Sequence, residues 1–168
     1  MKIFASQLRA ARALLDVDQE VVSGWADLDR RELSGWENAK YKLRSSDAEK
    51  LQKTFEKRNV EFLSAAEGKG AGVRWREPGR EDRHRGAQFR AARAMANLSM
   101  RDLEDLSGVS RNFIWRLERG KVGPLNVEFI GKLEASFRKK NIDLVPEDGR
   151  SGAGVRWLLN EETPRSSS

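Results

Sequence analysis

The sequence predicts a mostly α-helical fold of two tandem domains, each extended at its C-terminal end by a β-hairpin. The first observation is a repeat: residues 7–13 are Q-L-R-A-A-R-A and residues 88–94 are Q-F-R-A-A-R-A. The second is that residues 70–75 and 152–157 are both G-A-G-V-R-W. The third is that apolar residues recur at helical spacing and then change period before each G-A-G-V-R-W motif. A repeat of about 80 residues is longer than a solenoid unit, so each copy is expected to be a small domain with its own core.

The domain boundaries follow from the repeat and from one polar stretch. We expect the first domain at 1–75 and the second at 86–160, with a disordered tail at 161–168. Between them, residues 76–85 are R-E-P-G-R-E-D-R-H-R, which has no apolar residue and contains Pro-Gly. Such a stretch is typical of a linker.

The first copy has the pattern of four short helices followed by a hairpin. Apolar spacing predicts helices at 5–15, 19–26, 30–38 and 47–58. Asp18 and Asp29 are suitable N-caps for the second and third helices. The segments 60–63 and 72–75 then alternate or run apolar around a glycine-containing connection, which predicts the hairpin.

The second copy repeats this order. Its helices are predicted at 87–97, 100–107, 111–119 and 127–140. The expected N-caps are Ser99, Ser110 and Asn126. The segments 142–145 and 154–158 predict the second hairpin.

The composition argues against an enzyme. The chain has no cysteine, which excludes disulfides, thiolate zinc sites and thiol catalysis. Its one histidine, His84, lies in the charged linker, so no nucleophile–base pair and no metal cluster are expected. The glycine-rich stretches at 68–72 and 149–154 lack the Gly-Lys-Ser/Thr ending of a phosphate-binding loop and fit hairpin connections better. We therefore expect no cofactor and no catalytic residue.

The charge pattern is compatible with a nucleic-acid partner. Lysine and arginine number 32 against 26 acidic residues, which leaves a net charge of +6, and arginine dominates the basic residues of the second half. An arginine excess suits bidentate contacts to phosphate and guanine. No apolar run approaches the length of a membrane span, and the N-terminal residues lead into a helical pattern without a signal-peptide core. A cytosolic protein is expected.

Residues 99–120 carry the motif that points to function. Their sequence, S-M-R-D-L-E-D-L-S-G-V-S-R-N-F-I-W-R-L-E-R-G, predicts a capped helix, a tight turn at Gly108, a buried anchor at Val109 and a second capped helix with Ile114 and Leu117 inward. This is the spacing of a helix-turn-helix. It resembles the Cro/lambda-repressor family, also called the XRE family, well over 88–125 and more loosely over 7–43.

The resemblance implies a set of DNA contacts in the second copy. In that family the second helix of the motif enters the major groove. Arg111, Asn112 and Arg116 then lie at base-contacting positions, and Phe113 is placed against a thymine methyl group. Trp115 lies on the outer face of the same helix, either as a contact with DNA or with another domain, or as an exposed side chain without a role. The phosphate contacts implied are Ser110, Arg119 and Lys121.

The first copy departs from the family pattern. Gln19 and Lys40 lie at implied phosphate-contacting positions, and Arg30 and Arg31 at base-contacting ones. The turn glycine is replaced by Asp27, a residue that tolerates left-handed geometry. The remaining recognition positions hold Glu32 and Gly35. Two interpretations stay open: a half-site reader of different specificity, or a degenerate copy that serves packing or dimerisation.

The resemblance also implies two structural ion pairs rather than DNA contacts. An arginine of the first helix pairs with the glutamate that ends the third helix. In this chain these pairs are Arg93 with Glu118 and Arg12 with Glu37.

Together these observations predict a sequence-specific double-stranded DNA-binding transcriptional regulator, more specifically a repressor, in the prokaryotic cytosol or nucleoid. Its operator would have two unlike half-sites with centres about 34 Å apart. The hairpin edges could pair between copies or between chains, which makes a homodimer possible. No small-molecule ligand is expected. The alternative is a protein-interaction module, antitoxin-like or anti-activator, on a helix-turn-helix scaffold.

Overall fold

The computed structural model describes residues 2–159 and shows a mostly helical fold with one antiparallel sheet. The first half contains α1 (Lys2–Leu15), α2 (Gln19–Ala26), α3 (Arg30–Glu37), α4 (Ser45–Glu56), β1 (Val60–Leu63) and β2 (Lys69–Trp75). The second half contains α5 (Gly86–Met95), α6 (Met100–Ser107), α7 (Arg111–Glu118), α8 (Val127–Lys139), β3 (Ile142–Val145) and β4 (Gly154–Leu158). The mostly α class and the antiparallel pairing of each predicted strand pair are confirmed. The expected disordered tail at 161–168 lies outside the described residues.

The predicted N-caps are confirmed, which explains why the helices begin where they do. Each cap side chain accepts a hydrogen bond from a backbone N–H in the first turn of its helix. At α6 the cap is reciprocal. Asp102 N–H donates to the Ser99 hydroxyl at 3.0 Å, and Ser99 N–H donates to the Asp102 carboxylate at 2.9 Å.

Several helix bounds differ from the prediction by one to three residues, and two of these differences have a clear local reason. α1 begins at Lys2 rather than at residue 5, since Phe4 packs against Phe62 of β1 with ring centroids 5.5 Å apart. This contact gives the first turn an apolar partner. α4 ends at Glu56 rather than at residue 58, and the left-handed Asn59 (φ 67°) then turns the chain into β1.

The two hairpins form one four-stranded sheet in the order β1-β2-β4-β3. Its central pair joins the halves. Val73 of β2 lies opposite Val155 of β4, and these two residues occupy the same position in the repeated G-A-G-V-R-W motif. A pseudo-twofold axis therefore passes through this pair. The glycines beside it, Gly72 and Gly154, are required, since a Cβ on either would overlap the carbonyl oxygen of the facing strand.

The same axis relates α1 and α5, which pack against each other. The helices run antiparallel, because Arg9 reaches the backbone of Ala94 while Arg90 reaches the backbone of Ala13. Four alanines of the repeated R-A-A-R-A block are fully buried and let the two helices approach closely, namely Ala10, Ala11, Ala91 and Ala92. The block that first shows the repeat is thus the interface between its two copies.

Two equivalent glutamines, which precede the R-A-A-R-A block by two residues in each half, connect each hairpin to its own first helix. Gln7 Nε2 donates to the carbonyl oxygens of Leu63 and Gly72, at 3.0 and 2.9 Å. The equivalent Gln88 Nε2 donates to Val145 and Gly154, at 2.8 and 2.9 Å. Both glutamines are buried, so these bonds fix the sheet against the helix pair.

The predicted linker at 76–85 is held against both halves. The Arg80 guanidinium lies 3.8 Å from the Trp75 ring centroid. The Asp82 carboxylate accepts from Ala87 N–H at 2.9 Å and so satisfies a donor at the start of α5. The linker ends in a single 3-10 turn, Arg83–Arg85, which contacts α5 and α7.

Buried apolar residues of both halves form one contiguous core between the sheet and the helices. Phe55 of α4 and Phe137 of α8 occupy equivalent places in it and are almost completely buried. Within residues 2–159, no helix combines the length and apolar character needed to cross a membrane.

Candidate nucleic-acid interface

The turn between α6 and α7 has the geometry of a helix-turn-helix. Gly108 adopts the left-handed conformation, with φ 75°. Val109 follows it and is fully buried, which anchors the turn. The Ser110 hydroxyl then accepts from Phe113 N–H at 3.3 Å, so α7 starts at Arg111.

α7 has one buried face and one exposed face. Its buried side chains are Phe113, Ile114, Leu117 and Glu118. Its exposed side chains are Arg111, Asn112, Trp115 and Arg116. The exposed face therefore presents two guanidinium groups, one amide and one indole, the first three of which can form bidentate hydrogen bonds to base edges.

The assignment of Phe113 to a thymine methyl group is wrong. Its side chain is 6% exposed and packs edge-to-face on Phe129 of α8, with ring centroids 5.0 Å apart. The helical period puts position 113 beside Ile114 and Leu117, on the face that turns toward the core. Phe113 is a core residue that fixes α7 against α8.

Arg111 is positioned by a carboxylate of α6. Its Nε lies 3.1 Å from Glu104 Oε1, and its backbone N–H donates to Glu104 Oε2 at 2.7 Å. Glu104 thereby satisfies a free donor at the start of α7 and also neutralises part of the charge at the exposed face. Arg111 remains half exposed, so its guanidinium can exchange Glu104 for another acceptor.

Two basic side chains lie near Trp115, toward the C-terminal end of α7. Its ring is 41% exposed, with Lys121 Nζ 5.1 Å and the Arg119 guanidinium 5.7 Å from its centroid. Arg119 is also 3.9 Å from Asp16, at the end of α1. Arg119 and Lys121, the predicted phosphate contacts, thus lie together around Trp115.

A buried ion pair holds α7 on α5. Arg93 Nε and Nη2 each donate to one Glu118 carboxylate oxygen at 2.8 Å, and Arg93 Nη1 donates to Leu98 O at 3.0 Å. The Glu118 side chain is only 2% exposed. This bidentate pair fixes the orientation of α7.

The first half has the equivalent pair with one change. Arg12 Nε lies 2.7 Å from Glu37 Oε1, but the second carboxylate oxygen accepts from Gln19 Nε2. The Gln19 amide group therefore donates to a side chain within the first half. Its assignment as a phosphate contact stays a prediction.

The first-half motif keeps its turn but presents different groups. Asp27 is left-handed, with φ 52°, in place of the glycine of the second half. Arg30 and Arg31 are exposed at the start of α3, and Lys40 is exposed just beyond its end. Gly35 is buried, because the ring of Tyr41 lies across it.

Sequence reasoning missed two residues at this surface. Glu104 lies seven positions before Arg111 on the preceding helix, and only the angle between α6 and α7 brings them together. Tyr41 was missed because it follows the motif. In the sequence, the glycine at position 35 was the one signal that another side chain lies over this part of α3.

One comparison with known proteins finds a match, and this match lies in the second half. A helix-turn-helix family model matches residues 89–144, which run from α5 through α6, α7 and α8 into β3. No curated protein and no solved structure matches the chain. The second half therefore carries a helix-turn-helix domain of the XRE type, which is a DNA-binding regulatory domain and not an enzyme family. Among residues 2–159, no three or more His, Cys, Asp or Glu side chains are grouped to hold a metal ion.

Proposed function

We propose that this protein is a sequence-specific double-stranded DNA-binding transcriptional regulator, acting as a repressor in the prokaryotic cytosol or nucleoid. α7 enters the major groove, and Arg111, Asn112 and Arg116 contact base edges. Ser110, Arg119 and Lys121 contact phosphates on either side of the groove. A repressor needs only to occupy its operator, which a compact binding unit can do without a ligand.

The exposed face of α7 is the observation that carries this proposal. Two arginines and one asparagine lie on the side of the helix opposite the core, within the segment that matches the helix-turn-helix family. Arginine pairs with guanine O6 and N7, and asparagine with adenine N6 and N7. The buried Arg93–Glu118 pair supports the proposal because it holds α7 rigidly, as base discrimination requires.

We further propose that α3 and α7 occupy two unlike half-sites of one operator. The pseudo-twofold axis through Val73 and Val155 relates the two helices, as a dimer axis relates the two recognition helices of a symmetric regulator. One chain then supplies both DNA-contacting helices at a fixed spacing of about 34 Å, one turn of B-DNA. The first half binds its half-site more weakly, through Arg30, Arg31 and Lys40.

The test is selection from a random duplex library at moderate salt, with the intact chain and with the triple variant Arg111→Ala/Asn112→Ala/Arg116→Ala. We expect the parent to enrich a sequence with two parts. The variant should lose base preference in one part and keep the other. Arg138→Ala, which removes an exposed arginine of α8, is the matched control and should enrich the same sequence as the parent.

Two outcomes would speak against the proposal. If no sequence is enriched, the alternative of a protein-interaction module gains support. If the triple variant enriches the same sequence as the parent, α7 is not the recognition helix.

A further inference from the structure

We propose that Tyr41 replaces the missing side chain of Gly35 and contacts DNA in the first half-site. This inference rests on the proposed function and names one further specificity residue for it. The relevant place is the side of α3 at Gly35, where the helix has no side chain. A Cβ on Gly35 would overlap the Cδ2 and Cε2 atoms of Tyr41, so the aromatic ring occupies the volume into which a side chain at position 35 would project.

The backbone at this place is the same in both halves. Lys40 N–H donates to Gly35 O at 2.8 Å, and the equivalent Lys121 N–H donates to Arg116 O at 2.8 Å. The residue before each lysine is left-handed, with φ 53° at Ala39 and 66° at Gly120. The halves therefore differ here in side chains and not in the path of the chain.

The halves differ in which residue supplies the exposed side chain at this place: a residue of the helix in the second half, and a residue of the following loop in the first. In the second half Arg116 is exposed, while Val122, the residue after Lys121, is 3% exposed and belongs to the core. In the first half Gly35 is buried, while Tyr41, the residue after Lys40, is 58% exposed. A side chain thus lies at the equivalent place in each half, but in the first half it comes from the loop.

The chemistry of tyrosine fits a groove contact. Its ring offers an apolar edge that can contact a thymine methyl group, and its hydroxyl can donate to a base acceptor or a phosphate oxygen. Packing on Gly35 restricts the ring, so little conformational entropy is lost on binding. Tyr41 also lines a cavity of about 460 Å³ with Phe4, Trp36 and Leu43.

Tyr41 is the single tyrosine of the chain, which permits a direct test. The intact protein is labelled with 3-fluorotyrosine, and its one ¹⁹F resonance is recorded while the enriched duplex is added to saturation. Saturation is followed independently by the fluorescence anisotropy of a dye on the duplex. We expect the resonance to shift with the enriched duplex and to stay in place with a duplex whose first half-site is scrambled.

Variants give a second readout. Tyr41→Ala should lower affinity for the enriched duplex about tenfold, the factor for one good base contact, and relax base preference in the first half-site alone. Gly35→Ala should do the same by displacing the ring. Trp25→Ala, which removes an exposed aromatic side chain of α2, is the control and should keep the parent preference.

The outcomes separate this inference from the proposed function. If no duplex is bound, the proposed function fails. If the duplex is bound to saturation but the ¹⁹F resonance does not move and Tyr41→Ala keeps the parent base preference, DNA recognition stands and the role of Tyr41 is overturned.

Discussion

Arg9 and Arg90 hold the two halves together by reciprocal hydrogen bonds. Arg9 Nε donates to Ala94 O at 2.9 Å, and Arg90 Nε donates to Ala13 O at 2.6 Å, so each arginine binds carbonyls at the end of the other half's first helix. The Nη1 group of each donates to the carbonyl oxygen of the last residue of α3 or α7 in its own half, Glu37 O or Glu118 O. Desolvation by burial lowers the pKa of both guanidinium groups, but they stay charged at any physiological pH. Each arginine thus connects the interface between the halves to α3 or α7.

Replacing Arg9 or Arg90 by alanine should weaken the fold. Each change removes a partly buried guanidinium that donates to helix-terminal carbonyls of both halves, and the loss of these hydrogen bonds should cost about 2 kcal/mol of unfolding free energy. Urea unfolding of the intact chain measures this. The exposed Arg101→Ala is the control and should lie within about 0.5 kcal/mol of the parent. If all three variants lost the same free energy of unfolding, the reciprocal hydrogen bonds would not be what stabilises the interface.

Glu118→Ala should destabilise more strongly. It leaves Arg93 largely buried without its carboxylate, which should cost about 3 kcal/mol. The double variant Arg93→Met/Glu118→Leu should recover part of this loss, because neither charge remains. Thermal unfolding checks both, with the exposed Glu128→Ala as control. A Glu118→Ala protein as stable as the parent would show that the pair does not hold α7.

Asp102 should make α6 sensitive to acid. The hydrogen bonds from Ser99 lower the pKa of its carboxyl below the ordinary value, with the backbone N–H contributing most. A lowered folded pKa means that this stabilisation is present above the unfolded value of about 3.9 and is lost as pH falls through the folded pKa. The difference in melting temperature between the parent and Asp102→Asn should therefore shrink as pH falls from 5 toward about 2.5. A difference that stays constant over this range would contradict the cap.

Glu104→Gln should strengthen DNA binding. The change keeps an oxygen that can accept from Arg111 N–H but removes the charge that competes with DNA for the Arg111 guanidinium. We expect affinity to rise up to about fivefold, since an exposed ion pair of the kind that DNA must displace is worth about 0.2–1 kcal/mol. Fluorescence anisotropy with the enriched duplex measures it, and Glu134→Gln, outside the motif, should change nothing. Weaker binding by Glu104→Gln would mean that the Glu104–Arg111 pair is needed in the complex.

Lys121→Ala should weaken specific and random duplexes alike. A phosphate contact carries no sequence information, and its loss should reduce the slope of log affinity against log salt by about 1. Titrations at several salt concentrations give the slope for parent and variant. Loss of affinity for the enriched duplex alone would instead make Lys121 a base contact.

The local features of this fold could be predicted from sequence because they depend on near neighbours. The N-caps at Asp18 and Ser99 bind N–H groups three residues away, and Gly108 needs only its own left-handed conformation. The helix-turn-helix follows from such features. Phe113 was misassigned because its exposure depends on Phe129 of α8, which the motif does not include.

The joining of the halves could not be predicted in detail. The Val73–Val155 pair connects residues 82 positions apart, and nothing in either hairpin alone selects β2 rather than β1 as the strand that meets the other half. Likewise, no local pattern shows that Tyr41 folds back over Gly35. These contacts depend on tertiary packing.

The most direct test of DNA recognition by α7 is a base-pair scan of the enriched duplex with the parent and with Arg116→Ala. Each base pair is replaced singly, and affinities are measured at one salt concentration. We expect the parent to lose about 1–3 kcal/mol at each contacted pair, and Arg116→Ala to become indifferent at one pair while keeping the other preferences. An Arg116→Ala protein that keeps the full pattern of the parent would contradict the placement of α7 in the major groove.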